Sequence, residues 1–91
     1  MAHTIHIAVN ASLKDSDLIF RILNFKEDIH REILRRDCGV VANPASVDQA
    51  LAPVTITIAR KRQFEHLSSF IAGRLDHHSV AEAVRISTED S

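Results

Sequence analysis

The sequence predicts an α+β fold with the order strand, helix, strand, strand, helix, strand, and three observations predict it. Val54-Thr55-Ile56-Thr57-Ile58 alternates β-branched apolar residues with small polar ones, the pattern of a strand with one buried and one open face. Leu18, Ile22, Phe25, Ile29 and Ile33 recur at steps of four and three, which draws one apolar stripe along a helix. Phe64, Leu67, Phe70, Ile71 and Leu75 do the same further on. Ninety-one residues are expected to hold one two-layer core without a second domain, near the size at which self-association helps stability.

In chain order, His3 to Ala11 reads as the first strand. His3, Ile5, Ile7, Val9 and Ala11 face the core, with Thr4, His6, Ala8 and Asn10 opposite. The run Ser12-Leu13-Lys14-Asp15-Ser16-Asp17 offers several N-caps, including Ser12 with Asp15 three residues on, and acids suited to the positive end of a helix dipole. The first helix then covers Asp15 to Asp37, with Arg21, Lys26, Glu27, Asp28, Arg31, Glu32 and Arg35 on its polar side, and Gly39 stops it. At about 33 Å it outruns a seven-residue strand of about 23 Å. Either it breaks near Asn24, or its later turns, with Phe25, Ile29 and Ile33, pack on a partner subunit.

Gly39 to Ala42 forms a short second strand, ended by Asn43-Pro44. Ser46-Val47-Asp48-Gln49 has the layout of a capping box, so Ser46 to Leu51 predicts one helical turn inside the loop closed by Pro53. The third strand is Val54 to Ala59 and the second helix Arg62 to Asp76. Alternation returns from Val80 to Ser87, with Ala81, Ala83 and Arg85 on the open face, and residues 88–91 form an acidic, frayed tail after a domain spanning 1–87.

This βαββαβ order is similar to the ferredoxin-like arrangement, two helices on one face of a four-stranded antiparallel sheet. The resemblance implies an open sheet face bearing Thr4, His6, Thr55, Thr57, Ala81, Ala83 and Arg85. Such short side chains let a second sheet or segment approach closely, so homodimerisation through this open face or through a sheet edge is expected. The half from Val54 to Ile86 also resembles the strand-helix-strand half of amino-acid-binding ACT-type regulatory domains. The front half departs from them, with no Gly after the first strand and too long a first helix. The open face has no aromatic residue to stack bases, and Asn10-Ala11-Ser12-Leu13 stands where metal-carrying ferredoxin-like domains have Cys-x-x-Cys.

Charge excludes more than it points to. A net charge of -1 offers no global attraction for nucleic acid or anionic lipid. One cysteine, Cys38, forbids an internal disulfide and suits a reducing compartment; at the end of a helix, where the dipole opposes a thiolate, it reads as structural. No apolar run reaches the ~20 residues of a membrane span, and the N-terminus lacks a signal-peptide layout, so the expected location is the cytoplasm. No Gly-rich phosphate loop or Ser-His-Asp spacing is present.

Six histidines invite a catalytic or metal reading. His3 and His6 point to opposite faces of one strand. Glu27 and His30 form a single Glu-x-x-His pair, where a di-iron bundle needs two. His66 reads as surface, and His77-His78 as countercharge at a helix C-terminus. No metal and no cofactor is expected. His6, mid-sheet on the open face, is the single catalytic candidate. Arg60-Lys61-Arg62, where the second helix starts without a cap or an acid, is the candidate site for a phosphate or carboxylate. The expected function is a non-enzymatic interaction or regulatory module that homodimerises and binds a partner protein or a small anion. One alternative is a small dimeric α+β barrel enzyme with His6 as acid or base and Asn10 or Arg85 orienting substrate. The other is weak nucleic-acid binding through Arg60 to Arg62.

Overall fold

A computed structural model of the chain describes residues 3–36, 40–42 and 49–90, with residue 36 and residues 40–42 described by their backbone alone. The fold is α+β, with two helices and an antiparallel sheet. Its elements are β1 (His3–Val9), α1 (Ser16–Arg36), β2 (Val40–Ala42), β3 (Val54–Ile58), α2 (Lys61–His78) and β4 (Val84–Asp90). β1 lies between β3 and β4, antiparallel to both, and the three-residue β2 pairs with the outer side of β3. The expectations for Cys38, Gly39, Asn43-Pro44 and the 46–48 part of the capping box lie outside the described residues.

The alternation read from the sequence sets the layers. Ile5, Ile7, Val54, Ile56 and Ile58 point inward and are at most 5% exposed, and the helices return Ile22, Phe25, Ile29, Leu67 and Ile71 to the same core. Fully burying one such side chain stabilises the fold by roughly 1.5–3 kcal/mol, so these two faces dominate the packing energy.

α1 is one unbroken helix through Asn24. The expected break does not occur, and of the residues expected on a partner subunit Phe25 and Ile29 are buried within their own chain while Ile33 is half-buried against the same core. Phe25, Ile29 and Ala50 share one buried cluster, and the His78 ring lies 6.3 Å from the Phe25 ring in an edge arrangement. Lys26 pins the 49–52 segment, its Nζ donating to the carbonyls of Gln49 and Ala52 at 2.7 Å each. The N-cap is Asp15 rather than Ser12: Asp15 Oδ1 accepts from the backbone N–H groups of Asp17 and Leu18, while Ser12 bonds back to Asn10.

α2 begins and ends slightly outside its expected bounds, and its C-terminus corrects the reading of β4. Ser79 takes the left-handed conformation, φ 56°, with its N–H bonded to the Asp76 carbonyl and the N–H of Val80 to that of Leu75. This is the paired closure that usually employs Gly. Val80 then accepts from Ala83 and Val84, a full turn of chain, so the strand starts at Val84 rather than Val80. Two expectations fall as a result. Ala83 is buried in the core, not displayed on the open face, and Ala81 sits exposed in the turn before the strand. Residues 88–90 are no frayed tail but the end of β4, paired with β1 as far as His3↔Asp90.

Candidate functional site

The sheet register assembles the candidate site on the face turned away from the helices. Thr4 lies opposite Thr57 and Glu89, His6 opposite Thr55 and Ser87, and Ala8 opposite Arg85. Strand residues two apart share a face, so these side chains form one continuous polar tract. Thr4, His6, Thr55, Thr57 and Arg85 stand where the sequence placed them, and Ala81 and Ala83 do not join them.

His6 is the centre of the tract. Its side chain is 38% exposed, with Nε2 3.5 Å from a Glu89 carboxylate oxygen and Nδ1 3.5 Å from the Thr55 hydroxyl. With its proton on Nε2 the ring would donate toward Glu89 and leave Nδ1 as an acceptor facing the Thr55 hydroxyl. The sequence offered no acid for this role because Glu89 was assigned to the tail. What signalled it was the two-residue period continuing through Ser87 and Glu89 from Arg85.

Other histidines tie elements together. His3 Nδ1 lies 2.6 Å from Asp90, and its ring stacks on Phe64 with centroids 5.1 Å apart. His66 Nε2 reaches Glu32 at 2.5 Å and His78 Nε2 reaches Asp28 at 2.6 Å, so α2 is joined to α1 by two His–carboxylate pairs. His66 is therefore a helix–helix contact rather than plain surface, and His78 does more than face a dipole. Glu32 is buried and also accepts from Arg35 Nε and Nη2. Burial alone would raise the Asp28 carboxyl, but the hydrogen bond and charge of His78, with Arg74 and Arg31, more than offset it and hold Asp28 below the ordinary Asp value. Glu27 is paired with Arg31, and His30 is exposed.

Lys26 and Glu32, assigned to the polar side of α1, are both buried. Burial of the Lys26 ammonium lowers its pKa to about 8. Beside it, between α1 and the sheet, is a gap of about 20 Å³, the space of about one water.

Arg60 precedes α2 in extended conformation, makes no side-chain cap, and is followed by no acid in the first turn. Arg60, Lys61 and Arg62 are all exposed, and none has an ion-pair partner among the described residues. Among the described residues no three His, Cys, Asp or Glu side chains converge as a metal site, and no helix is long and apolar enough to cross a membrane. No known family and no curated protein matches this chain.

Proposed function

We propose that the protein is a non-enzymatic interaction module of ferredoxin-like fold, with β2 as the fourth strand, that forms a homodimer through its open sheet face in the cytoplasm. One observation supports this above others: apart from Glu89 and Arg85, the tract around His6 consists of short side chains, Thr4, Thr55, Thr57 and Ser87, on a sheet face that the chain's own helices leave uncovered. Long charged side chains would solvate such a face and keep a second sheet away. Here the hydroxyls leave room for a second sheet at about 10 Å and offer donors and acceptors to it. Thr57→Glu sets a carboxylate beside Glu89 across β1 and should split the dimer, read as a halved mass by light scattering. A dimer that survives Thr57→Glu sinks this reading.

A second reading draws on the Glu89–His6–Thr55 contacts. In it two facing sheets enclose a pocket in which His6 is acid or base, with Asn10 or Arg85 orienting substrate. That pocket exists only in the dimer, so the same mass measurement tests it, and a monomer at every concentration removes both readings. The exposed cations Arg60, Lys61 and Arg62 support at most a weak polyanion contact outside the dimer face, whose mark would be a steep loss with salt.

A further inference from the structure

A recess of about 340 Å³ opens where β1 and β4 reach the end of the sheet, lined by Ala8, Asn10, Ala81, Glu82 and Arg85 among others. It is built within one chain, at the end of the open face, and shares Ala8 and Arg85 with the tract proposed as the dimer face. Three features of it point the same way. Its frame is fixed by backbone bonds, Asn10 N–H to the Ala83 carbonyl at 3.1 Å and the N–H groups of Ala83 and Val84 to the carbonyl of fully buried Val80. Its alanines leave the space unfilled. Its polar groups are unspent: Arg85 has no ion-pair or hydrogen-bond partner among the described residues.

Asn10 adds direction. Its Oδ1 accepts from Ser12 N–H at 3.1 Å and from the Ser12 hydroxyl at 2.8 Å, which sets the amide plane and leaves Nδ2 as a donor with no partner among the described residues. A guanidinium and an amide N–H2 lining one recess suit a planar anion with two acceptor oxygens. Glu82 lines the same recess and selects among anions: beside it a second negative charge on the ligand is repelled. We propose that this recess binds a small aliphatic monocarboxylate, its carboxylate on Arg85 and Asn10 and its short chain against Ala8 and Ala81.

The test is a titration of the full chain with sodium butyrate at constant ionic strength, followed by ¹H–¹⁵N spectra. The amides of Ala8, Asn10, Ala81 and Arg85 should shift saturably in the millimolar range. Arg85→Ala should weaken binding about tenfold or more, while Arg85→Lys keeps part of it. Inorganic phosphate should bind more weakly than butyrate, and Glu82→Gln should narrow that gap. Arg85 is exposed, so unchanged spectra elsewhere in Arg85→Ala verify the fold. Absence of saturable shifts, or shifts that Arg85→Ala leaves intact, overturns the site. Tighter binding of phosphate than of butyrate overturns the carboxylate assignment.

Discussion

Lys26 shows how far a single side chain can depart from its place in a pattern. It lies in the stretch between the stripe residues Phe25 and Ile29, yet the chain folds back over it and its ammonium holds two carbonyls of the 49–52 segment. Its pKa, lowered to about 8 from 10.5, makes stability pH-dependent. Between these values the unfolded chain binds the extra proton, so stability should rise with pH, by on the order of 3 kcal/mol in full. The neutral amine keeps two N–H groups for the two carbonyls. Urea midpoints measured from pH 7 to pH 10.5 should climb in the wild type and lose that climb in Lys26→Met. Nothing in the sequence around Lys26 marks it, because its partners are backbone groups more than twenty residues away. His6 was legible as a central open-face residue, and its carboxylate partner was not.

At the scale of elements, apolar periodicity made both helices and the three longer strands legible, since 3.6 and 2.0 residue repeats follow directly from which face is buried. It failed where backbone hydrogen bonding decides. The end of α2 has no Gly to mark it, and Ser79 adopts the left-handed turn instead, which carries Val80 to Ala83 out of the strand. Ser79→Gly removes the Cβ penalty and should raise stability by about 0.5–1 kcal/mol, read as an increase in the denaturation midpoint. The same shift puts Thr88, Glu89 and Asp90 into the ladder with β1. Deleting residues 88–91 should therefore cost about 1–2 kcal/mol, whereas an unchanged midpoint would mean that the segment is frayed after all. Between helices, Asp28 is held below its ordinary pKa by His78 and the neighbouring arginines despite its burial. Its contribution is present above the unfolded carboxyl value and is lost as pH falls through the lower folded one. Asp28→Asn should flatten that part of the acid limb.

At the scale of the whole molecule, the two layers bury one side of the sheet and leave the other to hydroxyls, Ala8, His6, Arg85 and Glu89. That division of faces was readable from Val54 to Ile58 alone. The identity of a partner was not, because short polar side chains meet water and a second sheet with the same groups. Phe25 and Ile29 no longer call for a partner subunit, so the case for self-association rests on the open face. The measurement that tests it most directly is the solution mass by light scattering across a concentration series, for the wild type, His6→Ala and Thr57→Glu. The first two should be dimers and Thr57→Glu a monomer. A wild-type chain that remains monomeric throughout, or a Thr57→Glu variant that still dimerises, would contradict it.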